Sequence, residues 1–318
     1  RDSAFAIARA GLREEWTVDL DAYELVDEAE KTQPSGRVDH TFTYQRSRFE
    51  LGKNGFVRLR LKVSGDALTE LMHYVQIPEA FQRRFDEMRS ANDTIAFSAS
   101  MGMAFLYGLG GIVFGIFFLL RQRRVLWKSA LLWGIIVALI QTLSEINFLP
   151  LMWMNYDTSI TAQSFIVQVA ISALANFLLM ATLYTLSFIA AESLTRKAFP
   201  NRIQFWKLWS PEVGNSLSVL GRTVGGYLTA GLFLFYSLVF YMFTHDTLGW
   251  WSPADTDYDP NILAAYFPWL TSIAISLGAG FWEECLFRAV PLAGAALLGD
   301  RYGKRNLFIG IAMVIQAL

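Results

Sequence analysis

The stretch Phe281–Arg288, FWEECLFR, decides how this chain is read. It lies near the end of a long apolar run and puts two adjacent carboxylates and an arginine where a helix would otherwise meet lipid or other helices. Ionisable groups in that setting are costly, so they face a cavity or one another and mark a working site. Glu284 and Arg288 are four residues apart and share a helical face, which lets them pair. Glu283 is rotated by about 100° from Glu284 and cannot join the same pair with the same geometry. One carboxylate is then held by arginine, while the other is free to take a proton, bind a metal or activate water.

The apolar context extends far beyond this stretch. Of 318 residues, 53% are hydrophobic and only 17% charged, against roughly 25% charged in soluble domains. The net charge of -1 argues against a nucleic-acid partner. Cys285 is the single cysteine, which excludes an intrachain disulfide and a cysteine-built zinc site. Apolar runs predict membrane spans at about 95–120, 125–148, 162–191, 223–243 and 262–287, with an incomplete one at 307–318. Within the first, the Gly111–Gly115 spacing favours close helix packing. A polar, basic connection bearing Trp206 and Trp209 predicts an interfacial helix. The chain starts at Arg1 and stops inside an apolar run, so we expect a piece of a longer protein.

Charge orients the spans. Lys and Arg number four at 121–128, five at 196–222 and three at 301–305, whereas the alternate loops, 148–161 and 245–261, carry none. The second of these is acidic, with Asp246, Asp255, Asp257 and Asp259. By the positive-inside rule the basic segments are cytoplasmic and residues 1–93 lie outside. Glu283, Glu284 and Arg288 then fall at the cytoplasmic end of the 262–287 span. Trp127, Trp153, Trp250, Trp251, Trp269 and Trp282 read as interfacial aromatics.

Residues 1–93 belong to another solvent environment, with 14 Lys/Arg and 17 Asp/Glu interleaved. Phe5, Ala8 and Leu12 at helical spacing predict a helix from Asp2 to about Glu15. TFTYQRSRFEL at 41–51 and VRLRLKV at 57–63 alternate as strands do, around a Gly52-Lys53-Asn54-Gly55 turn. Pro78 opens a further helix over about 79–91 that heads for the membrane. The expectation is a small α+β domain, one helix on a hairpin sheet, followed by a mainly α, polytopic transmembrane bundle over 94–318. The cationic strand face reads as a solvated surface; an acidic partner is the alternative. His40 and His73 read as surface residues.

Polar residues inside the spans read as joints between helices. Gln141, Glu145, Asn147, Gln168, Asn176 and Glu192 suit interhelical hydrogen bonds or interface-reaching ends. Cys285 reads as a small buried apolar residue. A metal role for His245 with Asp246 has little support.

The hexapeptide Glu283-Glu284-Cys285-Leu286-Phe287-Arg288 resembles the EExxxR motif of the CPBP family of intramembrane proteases, which includes type II CAAX prenyl endopeptidases and bacteriocin-processing or immunity proteins. The likeness covers the motif and its multi-span setting, roughly residues 200–318. In that family FxxxH and HxxxN or HxxxD motifs follow on later helices, which here would lie beyond Leu318. The resemblance implies an intramembrane endopeptidase of a bacterial cell membrane, acting on a peptide or lipidated-protein substrate. It makes Glu283 the general base that draws a proton from water, and Glu284, tied to Arg288, a positioning carboxylate. Zn²⁺, where present, would be held by the later histidines and act as Lewis acid. Residues 1–93 look like small PepSY- or cystatin-like ectodomains, with a partner the sequence does not name. Two other readings stand beside the protease: a non-catalytic binding, immunity or scaffold protein of the same fold, and a transporter using Glu283, Glu284 and Arg288 as a relay.

Overall fold

A computed structural model describes the chain except Glu15, Thr17, Lys53, Arg124, residues 203–206, Trp209, residues 251–259 and Leu318. The interfacial helix expected around Trp206 and Trp209, and the acidic cluster Asp255, Asp257 and Asp259 with Trp251, lie outside the described residues. The chain forms two compact units. One comprises Arg1–Ser100 with Tyr156–Val169, the other Met101–Asn155 with Ala170–Leu318.

The first unit opens with α1 (Asp2–Glu14), continues through β1 (Tyr23–Thr32), β2 (Val38–Leu51), β3 (Gly55–Ser64) and β4 (Ala67–Gln76), and enters α2 (Glu79–Met103). The strands form an antiparallel meander in the order β1-β2-β3-β4. This corrects the expected two-stranded hairpin: β1 and β4 flank it. β1 is almost wholly exposed, so burial imposes little alternation on its acidic sequence and no strand signal arises. Over residues 59–63 of β3 the alternation is strict. Leu59, Leu61 and Val63 are fully buried, while Arg58, Arg60 and Lys62 take the opposite face, as the two-residue period requires. Against the buried row α1 lays Ala4, Ala8 and Leu12, and β2 adds Phe42 and Tyr44. Phe5 meets Phe42 edge to face at 5.7 Å. Asn54, in the β2–β3 turn, has φ 64°, a left-handed conformation that Asn tolerates.

A polar knot closes this unit. Asp39 is 2% exposed and accepts from Arg37 Nε at 2.8 Å and from Gln33 Nε2 at 2.7 Å. Arg37 in turn donates to the Thr158 carbonyl at 2.6 Å and to Thr158 Oγ1 at 2.9 Å, which ties in the 156–169 segment. Burial pushes the Asp39 carboxyl up, but hydrogen bonds from Arg37 and Gln33 and the charges of Arg37 and Lys62 outweigh it, leaving the group below its usual range.

The second unit is helical. α2 passes without interruption into a π-helix, Ala104–Phe114, and then α3 (Gly115–Arg121). The helix expected over 79–91 is therefore the start of a 43-residue one. α4 (Lys128–Asn147), α5 (Leu149–Met154), α6 (Ala162–Ala198), α7 (Pro211–Gly214) and α8 (Leu217–Leu248) follow. After a 3₁₀ turn at Pro260–Ala264 come α9 (Pro268–Leu277), a second π-helix over Gly278–Ala289, α10 (Val290–Arg301) and α11 (Arg305–Ala317). Among the described residues, four helices are long and apolar enough to cross a membrane: Glu79–Arg121, Lys128–Asn147, Ala162–Ala198 and Leu217–Leu248.

The expected 262–287 span is corrected. Helical backbone starts at Pro268 and continues to Arg301, so the carboxylates sit mid-helix rather than at its end, and they lower its apolar character. Small residues let its neighbours close in. Ala190, Ala191, Ala293 and Ala296 are buried between α6 and α10. Gly134 of α4 sits so tightly on α6 that a Cβ there would lie 2.8 Å from the Thr185 backbone nitrogen.

Interhelical hydrogen bonds form at four of the six polar residues expected to make them, Gln141, Glu145, Asn147 and Asn176, whereas Glu192 pairs within α6. Asn176 donates to Glu145 at 2.8 Å, and Gln141 donates to the Ala274 carbonyl. Asn147 both donates to the Phe267 carbonyl at 2.9 Å and accepts its N–H at 2.7 Å.

Candidate functional site

The FWEECLFR stretch lies within the π-wound segment Gly278–Ala289. Long π runs are rare, and π-turns recur at functional sites, because the i→i+5 pattern re-aims side chains relative to an α-helix. The segment is braced on both sides. Trp282 Nε1 donates to Ser187 Oγ on α6 at 3.1 Å, and its ring packs on Tyr184 at 5.9 Å. Phe287 meets Tyr107 of the first π-helix edge to face at 5.5 Å. Trp282 is thus a packing residue, not the interfacial aromatic expected.

Arg288 Nη1 donates to Glu284 Oε2 at 2.6 Å, so the expected pair forms. Its environment differs from expectation. The side chains of Arg288 and Glu284 are 65% and 48% exposed, because the pair lines a cavity instead of lying buried. That cavity, of about 440 Å³, is walled by Ser129, Trp133, Phe188, Glu192, Thr195, Phe281, Glu284, Cys285 and Arg288 among others. Glu283 is exposed and is not part of its lining. The structure therefore separates the two adjacent carboxylates, and the one that reaches the cavity is the one held by arginine.

A second carboxylate reaches the cavity from α6. Glu192 accepts from Arg196 Nη2 at 2.6 Å and is largely buried. From sequence alone, Glu192 reads as an interhelical joint or an interface-reaching end. The signal that finds it is spacing: Glu192-Ser-Leu-Thr-Arg196 repeats the Glu-x-Leu-x-Arg pattern of Glu284-Cys-Leu-Phe-Arg288. Thr195 Oγ1 is buried with no hydrogen-bond partner among the described residues. Cys285 packs with apolar side chains of both neighbouring clusters, as a small apolar residue would.

The cavity thus offers two arginine-clamped carboxylates, a hydroxyl and aromatic walls. Apolar lining with a few convergent polar groups is the usual make-up of a ligand site. Among the described residues no group of three or more His, Cys, Asp or Glu side chains could hold a metal ion. These residues alone do not make a Zn²⁺ site. His245 Nδ1 lies 3.2 Å from the Trp250 carbonyl, a local contact at the end of α8. Comparison of the chain with protein-family models, characterised proteins and solved structures finds no match in any of the three.

Proposed function

We propose that this chain is part of a polytopic membrane hydrolase that cleaves peptide bonds of a membrane-associated substrate at the Glu283–Arg288 site. The observation that carries the reading is the EExxxR hexapeptide in a π-wound stretch at mid-helix, whose Glu284–Arg288 pair lines a cavity. Four helices suited to crossing a bilayer and the segregation of basic loops support a membrane setting, with the sheet unit outside and the site towards the cytoplasm. In this reading Glu283, unclamped and exposed, takes the proton from the attacking water. The Glu284–Arg288 pair orients the helix, and the cavity beside it receives a substrate side chain.

The full protein, in proteoliposomes with a quenched fluorescent peptide library, tests this. Glu283→Gln should reduce turnover by at least a hundredfold, as loss of a general base does. Glu284→Gln should raise KM more than it lowers kcat. Equal activity of Glu283→Gln and the parent protein would sink the assignment.

One observation favours a second reading, a non-catalytic binding or scaffold role. Both carboxylates that line the cavity are clamped by arginine at 2.6 Å, an arrangement suited to holding a ligand. Peptide binding that survives Glu283→Gln, without turnover in the parent protein, would select it.

A further inference from the structure

A second cavity, of about 700 Å³, lies between the π-wound Ala104–Phe114 segment with α3 on one side and α10 with α11 on the other. Its lining is apolar except for Tyr107 and Arg301. We infer that this groove holds one acyl chain of an anionic phospholipid, with the lipid phosphate against Arg301.

Length and depth match such a chain. Val290, Gly294, Leu298 and Arg301 line the groove from α10, so it runs for about 16 Å at about 1.5 Å per residue. One leaflet's share of the hydrocarbon core is about 15 Å. The facing wall belongs to the Glu79–Arg121 helix, which is long and apolar enough to cross a bilayer, so the groove lies at the depth of the lipid chains. Tyr107, 4% exposed and set edge to face on Phe287, closes the end remote from Arg301. The floor is open because side chains are missing there. A Cβ on Gly294 would meet nothing within 4 Å, and one on Gly110 would come no nearer than 3.7 Å to the Phe105 carbonyl oxygen. Phe114, Leu298 and Ile311 are exposed, so the groove opens sideways to lipid.

Charge selects the headgroup. The Arg301 side chain is exposed and makes no ion pair or hydrogen bond among the described residues. Asp300, its neighbour in sequence, is held by Arg305 and does not neutralise it. Arg301 also begins the basic segment 301–305, and basic residues at span ends meet the leaflet that carries anionic lipid. A phosphate oxygen is a strong acceptor for a guanidinium. Free phosphate would leave the apolar length behind Arg301 unfilled.

The test uses the full chain in detergent and native mass spectrometry with dipalmitoyl phosphatidylglycerol and dipalmitoyl phosphatidylcholine. Phosphatidylglycerol should be retained in preference. Arg301→Gln should weaken it about fivefold, whereas Arg222→Gln, which removes the same charge from α8, should leave it unchanged. Gly294→Phe fills the floor and should weaken it at least tenfold. Gly231→Phe adds the same ring to open space on α8 and should not. A phosphatidylglycerol with a photoreactive diazirine at mid-chain should label α10 or α11 of the parent protein, a readout that stands even if Gly294→Phe misfolds. Equal retention of the two lipids, equal loss within either pair of variants, label spread evenly over all apolar helices, or a dimer whose groove takes no label would overturn the proposal.

Discussion

Arg288 and Glu284 meet at 2.6 Å within one helix, with 65% and 48% of their side chains exposed. The pair is therefore a cavity-wall feature, and in a water-filled cavity its energetics are those of a solvated ion pair. Exposed pairs contribute about 0–1 kcal/mol.

Arg288→Ala is accordingly expected to shift stability by less than about 1 kcal/mol, well below the several kcal/mol that a stranded buried charge would cost. Thermal unfolding of Glu284→Gln, Arg288→Ala and the double variant in detergent reads the coupling directly. A coupling above about 2 kcal/mol would mean the pair is buried after all.

Asn147 has a larger role than either site residue in holding the fold. It is 4% exposed and satisfies both the N–H and the carbonyl of Phe267, so its amide pins the entry to α9 onto α4. Asn147→Ala leaves the Phe267 N–H without its partner, while the Phe267 carbonyl keeps the Leu270 N–H; a stranded buried donor costs about 1–3 kcal/mol. Chemical denaturation should show a loss of at least about 1 kcal/mol. An unchanged midpoint would show that other groups replace the amide.

Two glycines separate close packing from spare space. A Cβ on Gly134 would lie 2.8 Å from the Thr185 nitrogen, whereas one on Gly294 meets nothing within 4 Å. Gly134→Ala should destabilise by about 1–3 kcal/mol through overpacking. Gly294→Ala should be neutral or stabilising, because alanine loses less entropy in a helix. Melting temperatures of the two variants, compared side by side, decide the point; the reverse order would refute the packing.

The sheet unit should be acid-sensitive through Asp39. Its carboxyl is held below its usual range, so the stabilisation is complete above the unfolded value of about 3.9 and is lost as pH falls below it towards the folded value. Asp39→Asn should lower stability at neutral pH by about 3 kcal/mol, since Arg37 keeps its charge without a counter-ion. It should also flatten the acid dependence. Melting of the sheet, followed by its infrared amide band at pH 7 and pH 3, tests both effects. An equally steep acid loss in the variant would assign the sensitivity elsewhere.

Much of this architecture is legible locally. Leu59, Leu61 and Val63 alternate with Arg58, Arg60 and Lys62, and that period is enough to place β3. Strands β1 and β4 escape the same reasoning because they flank the sheet and bury little. The long apolar runs place α4, α6 and α8, since length and hydropathy decide whether a helix suits a bilayer. The 262–287 run misleads at its end: apolar character fades at Glu283 and Glu284, but the backbone stays helical to Arg301.

What the sequence by itself determined was therefore everything that depends on neighbours a few residues away: strand period, helix length, charge segregation and the Glu284–Arg288 pairing. Only the tertiary structure decided which carboxylate reaches a cavity. Glu284 and Glu192 share that cavity because α6 packs beside the π-wound segment through Ser187 and Trp282, a contact between residues distant in the chain. The physical reason is that helical periodicity specifies a face, while a cavity is made by what packs against that face. The sheet-bound segment 156–169 obeys the same logic, held to the first unit by Arg37 and Thr158.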